Sequence, residues 1–137
     1  MSSLAGFHQA GAPRVLSVLR FVAGLLFLAE GIAKFFGIPP VPMFAHLQLL
    51  SLLGVQGIIE LVGGALMCVG LFTRPTAFVL SGDMAVAYFK VHFPRSFFPA
   101  SNGGMAAILF CFVFFYIFFA GPGPWSVDHI LRGEQTA

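Results

Sequence analysis

The chain has 137 residues, of which 58% are apolar and 9% charged, and its formal net charge is +2 at neutral pH. Soluble domains carry about 25% charged residues, so a water-soluble core is excluded, and a charge this small without a basic cluster excludes nucleic acid as a partner. Three of the 5 carboxylates, Glu30, Glu60 and Asp83, lie inside hydrophobic runs. An ionisable group at the centre of a membrane helix costs roughly 2.5–3.5 kcal/mol, so these three must be paired, protonated or wetted. Each option makes an internal polar site.

One domain, residues 1–137, accommodates four runs near the 20 or so apolar residues that a crossing requires. The first, Leu16–Phe36, has a basic entry at Arg14 and a small pair, Ala29 and Gly31, that imitates a signal-peptide cleavage site. Arg20 interrupts its apolar region and the run continues past Glu30, so a retained helix is expected. Gly37-Ile38-Pro39-Pro40-Val41-Pro42 ends it, because consecutive prolines remove donors and force extended backbone. Met43–Leu50 is expected in the membrane interface, before a second helix over Leu52–Phe72.

Thr73-Arg74-Pro75 is a tight turn, with Pro75 placed to start a third helix over Pro75–Val91. Phe93–Asn102 is the long loop that follows. Asn102 is the expected N-cap of a fourth helix over Gly103–Ala120. Gly121-Pro122-Gly123-Pro124 stops that helix, and Trp125 opens the tail 125–137 at interface depth. The expected fold is all-α: an integral membrane four-helix bundle with both termini on one side. Arg14, Arg20, Arg74 and Arg132 fall on the terminal side and Arg95 on the other. Lys34 and Lys90 are assigned to the bundle, so the excess of basic residues puts the termini in the cytoplasm.

Depth then gathers the polar residues. Glu30 and Lys34 lie near the outer end of the first helix, four apart in the order that favours an ion pair. Gln56 and Glu60 are four apart on the second. Asp83 lies nearer the midplane of the third, on the face of Lys90. His92 and Asn102 sit at the outer level. These residues converge in the outer half, and nothing comparable is expected at the cytoplasmic end. The structural reading of the same residues is helix-to-helix hydrogen bonding, which averages about 0.6 kcal/mol per contact. Small residues, Gly24 and Gly31 on the first helix and Gly57 and Gly64 on the second, predict close packing.

Nucleotide and metalloprotease motifs are absent. Cys68 and Cys111 are isolated, which favours buried thiols over a redox pair. His8, His46, His92 and His129 lie at or beyond helix ends, which disfavours haem. The chain has 18 phenylalanines. Phe93, Phe97 and Phe98 in the outer loop suit a plug, a stacking surface or an interface anchor.

Taken together, Arg20-Phe-Val-Ala-Gly-Leu-Leu-Phe-Leu-Ala-Glu-Gly-Ile-Ala-Lys-Phe-Phe-Gly37, Glu60-Leu-Val-Gly-Gly64 and Gly70-Leu-Phe-Thr-Arg-Pro75 resemble the DoxX-like membrane proteins. So do Asp83-Met-Ala-Val-Ala-Tyr-Phe89 with His92, Asn102-Gly-Gly104, and Gly121-Pro-Gly123 with Ser126 and Asp128. The resemblance implies a four-helix fold in a prokaryotic plasma membrane. The family's namesake is a small subunit of a thiosulfate:quinone oxidoreductase. Two positions depart from the pattern. Glu30 stands where His is usual, and Met105 where Glu is usual, as if one carboxylate had moved between helices.

These features predict a membrane subunit of a redox complex that engages quinone or a small hydrophobic ligand. Glu30 and Glu60 would handle protons, and Lys34, Gln56, Asp83, Lys90, His92 and Asn102 would line the ligand site. No metal or intrinsic cofactor is evident, so electrons would come from a partner protein, and a homo-oligomer is compatible with this. The alternatives are a small proton-coupled transporter and a non-catalytic anchor or assembly factor.

Overall fold

The computed structural model describes residues 2–136, and among them every regular element is helical. Helix α1 runs Ser2–Phe36, starting at Ser2 rather than Leu16. Gly6, Gly11 and Pro13 all lie within this early part, and Pro13 removes one donor without ending the helix. Its 35 residues span about 52 Å at 1.5 Å per residue, longer than a hydrocarbon core of about 30 Å. After a loop with a 3-10 turn at Pro42–Phe44, α2 runs Leu52–Val69. The Ser51 hydroxyl accepts from the Gly54 amide at its start. Gly70, in the left-handed region at φ 71°, ends α2 three residues sooner than expected. A glycine takes that conformation without steric cost.

Helix α3 runs Thr73–Ala87 and widens into a π turn, Tyr88–His92, before a 3-10 turn, Phe93–Arg95. A short α4, Pro99–Asn102, precedes α5, Met105–Ala120. Asn102 therefore closes α4 instead of capping the next helix. Its Oδ1 still accepts from the Gly104 amide, at 2.7 Å. The tail folds as an amphipathic helix, α6, Val127–Thr136.

Helices α1 and α2 pack as a hairpin, as do α3 and α5; α2 meets α3 and α1 meets α5. The shared core holds Phe27, Met67, Leu80, Phe114 and Ile117. The Phe27 and Phe114 rings meet edge to face at 4.8 Å, a favoured aromatic geometry. The α1–α2 contact depends on glycine. A Cβ on Gly64 would lie 2.4 Å from the Leu28 amide nitrogen, and one on Gly31 2.8 Å from the Leu61 backbone.

Polarity is distributed inside out. Arg20, Lys34, Gln56, Glu60, Asp83 and Asn102 are buried, while Leu25, Val62, Phe78 and Phe112 are exposed. Among the described residues two helices, α1 and α2, are long and apolar enough to cross a membrane, and α5 is a shorter apolar helix.

Candidate functional site

The outer cluster is built around one cross-helix ion pair. Lys34 Nζ lies 2.7 Å from Glu60 Oε2, and both side chains are buried. Lys34 thus bridges α1 to α2 instead of pairing along its own helix with Glu30. Gly57 makes this possible. A Cβ there would come within 3.2 Å of the Lys34 chain and 2.9 Å of the Phe35 ring. The half-buried Phe44 from the connecting loop lies under the ammonium, which is 5.4 Å from the ring centroid, within cation–π range.

Gln56, one turn before Glu60, is buried on the same helix, and Asp83 is buried on α3. Asp83 interacts with Gln56 and, through its charge, with Lys34 and Glu60. Gln56 Nε2 and Asp83 Oδ2 nonetheless lie out of hydrogen-bond geometry, and neither has a partner among the described residues. The cluster thus combines a satisfied pair with two orphaned atoms. Three helices supply it.

The other expected site residues fall elsewhere. Glu30 is exposed on the outside of α1. Lys90 is exposed too, because it lies in the π turn, whose wider winding breaks the seven-residue register with Asp83. His92 and Asn102 form a second network that ties the outer loop together. His92 Nδ1 is 3.0 Å from the Asn102 carbonyl oxygen, and Asn102 Nδ2 donates to Tyr88 Oη at 3.2 Å and to the Ser96 carbonyl at 3.0 Å. Phe93, Phe97 and Phe98 are exposed and contact one another edge to face. Cys68 and Cys111 are half-buried free thiols. No group of three His, Cys, Asp or Glu side chains suited to a metal ion occurs among the described residues.

The opposite end of the bundle, where α2 ends and α3 begins, holds a polar assembly that sequence reasoning missed. Arg20, assigned there to the cytoplasmic surface, is 2% exposed. Its guanidinium donates to the carbonyls of Met67 at 2.9 Å, Pro122, and Trp125 at 2.8 Å. Arg74 donates to the carbonyls of Phe118 and Phe119, the last turn of α5. Asp128 accepts from the Phe72 and Thr73 amides and so caps α3 from the tail. Such a cap satisfies free donors and places negative charge at the positive end of the helix dipole. Burial opposes the charged form of Asp128. The hydrogen bonds from Thr73 and Phe72 and the charge of Arg132 outweigh it and hold the carboxyl below its ordinary value. Gly70-Leu-Phe-Thr-Arg-Pro75 and Gly121-Pro-Gly123 meet here. The signal available in sequence was Arg20, a full fork of donors inside an apolar run, together with two glycine-rich stops rich in free carbonyls.

The DoxX family model matches residues 15–93. A Haemophilus influenzae protein described only as uncharacterised is 40% identical, over 85% of this chain and 90% of its own length. An uncharacterised membrane protein of Mycobacterium tuberculosis, Rv3486, is 29% identical over 95% of this chain and 88% of its own. No solved structure matches. On the family match and the Haemophilus relative together, the chain belongs to the DoxX family.

Proposed function

We propose that this protein crosses the cell membrane four times, through α1, α2, α3 and α5, with both termini in the cytoplasm. It acts there as the membrane subunit of a redox complex on a quinone or a similar small hydrophobic substrate. The observation that carries this reading is the Lys34–Glu60 pair with Gln56 and Asp83, enclosed by helices whose outer surfaces are apolar. Buried ionisable groups in membrane helices mark proton or substrate paths. Reduction of a quinone to its hydroquinone takes two electrons and two protons. The electrons would come from a partner redox protein, and Glu60 and Asp83 would pass the protons, with Lys34 holding Glu60 in place. The exposed Glu30 stays outside that path.

Two experiments test the reading. Single cysteines in a background lacking Cys68 and Cys111 should be labelled from one side at both termini and from the other side at Ser96. Labelling of all three from one side would refute four crossings. The assembly should also be purified in mild detergent from membranes of its own host, its partners identified by mass spectrometry, and its quinone reduction measured. Glu60→Gln, which keeps a hydrogen-bond acceptor for Lys34, should lower turnover at least tenfold per assembled complex, the amount of complex being measured alongside. Undiminished turnover would make the cluster structural.

A further inference from the structure

The segment between α1 and α2 joins the two helices that carry Lys34 and Glu60. Lys34 stands in the last turn of α1, so the chain leaves one partner of the pair and returns to the other through residues 37–51. Within 38–50 no residue is buried, and the half-buried ones, Val41, Phe44 and Leu47, are spaced three apart. Phe44 is seated on a charge, its ring centroid 5.4 Å from Lys34 Nζ. The exposed residues mix apolar Ile38 and Met43 with polar His46 and Gln48, which suits a segment at the boundary of membrane and water.

Little else holds this segment to the bundle. Its hydrogen bonds among the described residues are local. The Phe44 amide donates to the Val41 carbonyl at 2.9 Å, the Ala45 amide to the Pro42 carbonyl at 3.2 Å, and the Ser51 amide to the Gln48 carbonyl at 3.1 Å. Ser51 Oγ donates to that same Gln48 carbonyl. Segments with few buried contacts and only local hydrogen bonds open most easily. The two ends differ. Gly37, at φ 65°, is a joint that tolerates rotation. A Cβ on Gly54 would run into the Gln48 and Leu49 carbonyls, so the far end rests directly on the first turn of α2. Pro39, Pro40 and Pro42 each fix a backbone angle, which stiffens the piece between.

We propose that residues 38–47 form a lid over the Lys34–Glu60 pair, latched by the Phe44 ring on the Lys34 ammonium and pivoting between Gly37 and the contact of Gln48 and Leu49 with Gly54. When the lid swings away, the ammonium, and through it Glu60, meets the aqueous phase on the outer side. Water and protons then enter and leave the buried cluster on that side. The latch suits a lid better than a fixed wall. A ring over a desolvated cation holds the closed form, and on opening the ammonium exchanges the ring for water, so no charge is left unsolvated. This inference deepens the proposed function, on which it rests for the membrane and for which side is outer.

The test is a labelling rate that needs no turnover. Lys34 and Lys90 are the chain's lysines, and Lys90 is exposed, so it serves as a reference within the same molecule. Spheroplasts carrying the full chain are treated with sulfosuccinimidyl acetate, which does not cross the membrane, and acetylation at each lysine is followed by peptide mass spectrometry. Lys34 should react at least tenfold more slowly than Lys90, yet go to completion. Phe44→Ala should speed Lys34 about tenfold and leave Lys90 unchanged. Phe44→Leu, a milder change that keeps an apolar cover without the cation–π contact, should give an intermediate rate, and Phe44→Trp a rate no faster than native. Lys34 as fast as Lys90, or inert after Lys90 is spent, overturns the inference, since the first means no cover and the second a fixed wall. An unchanged rate in both Phe44→Ala and Phe44→Leu, or reaction only from the side that labels the termini, also overturns it. Latch-dependent labelling with undiminished turnover in Glu60→Gln keeps the lid and removes the redox reading. Latch-independent labelling with turnover lost does the reverse.

Discussion

Lys34 on α1 and Glu60 on α2 form a buried ion pair 2.7 Å long, although Glu30 stands four residues from Lys34 on its own helix. The cross-helix partner wins because Gly57 leaves a gap through which the lysine chain passes inward, and Phe44 closes over its ammonium. Each partner depends on the other. Removing one leaves an uncompensated buried charge, which costs about 3–5 kcal/mol, whereas replacing both with apolar residues is often neutral. Lys34→Met and Glu60→Met should each destabilise strongly, and the double variant should recover most of the loss. Unfolding in mixed micelles measures this. A double variant as weak as the sum of the singles would mean that the pair is not coupled.

Arg20 provides a second test, at the opposite end. Its guanidinium ties the second helix to the segment after α5 through three carbonyls. A buried carbonyl that loses its donor costs about 1–3 kcal/mol. Arg20→Ala should therefore destabilise by about 3 kcal/mol or more. Arg20→Lys, which keeps the charge but not the fork, should recover only part. Protease access at residues 121–126 should rise in both variants, more in Arg20→Ala. Unchanged access would mean that the glycine-proline segment holds its place without the arginine.

The helices were largely legible because Gly37, Gly70 and Gly121 punctuate long apolar runs, and each adopts a positive φ in the structure. Backbone chemistry of that kind is local. The start of α1 was not legible, since the apolar run begins at Leu16 while the helix begins at Ser2 and carries Pro13 inside it. Gln56, Glu60 and Asp83 could be placed in the interior by helical period alone. The partner of Lys34 could not, because it depended on the absence of a side chain at Gly57 on another helix. Lys90 was misplaced by a π turn, which shifts the register by a fraction of a turn and leaves no mark in composition. Arg20 was counted as a surface charge because its acceptors are main-chain carbonyls, which sequence does not display as partners.

Asp128 predicts a dependence on pH. Hydrogen bonds from the Thr73 and Phe72 amides hold its carboxyl below the ordinary value of 3.8. A group whose folded pKa is depressed contributes stability that is complete above its unfolded value and lost as pH falls through the folded value. Docking of α6 on the start of α3 should therefore hold above pH 3.8 and weaken below it. Asp128→Asn should lower stability at neutral pH and flatten this acid limb. The fluorescence of Trp125, the chain's 1 tryptophan, reports on the adjoining segment and can follow the loss. An acid limb of the same depth in Asp128→Asn would assign it to another carboxylate.

The two departures from the family pattern give the last prediction. Glu30 and Met105 suggested a carboxylate moved from one helix to another within a shared pocket. Both residues are exposed, Met105 by 57% and Glu30 on the outer face of α1. The contact between α1 and α5 is made instead by Phe27 with Phe110 and Phe114. Among the described residues, neither outer position makes a hydrogen bond or an ion pair with the buried cluster, where Lys34 already has Glu60 as its partner. Glu30→His and Met105→Glu restore the family residues, and their effects should therefore add. Independent sites usually add within about 0.3–0.5 kcal/mol, whereas residues that touch or share a network couple by about 0.5–3 kcal/mol. A double-mutant cycle on stability in micelles distinguishes the two cases. Coupling above that lower range would mean that the two positions meet, either within one chain or across a contact between two copies.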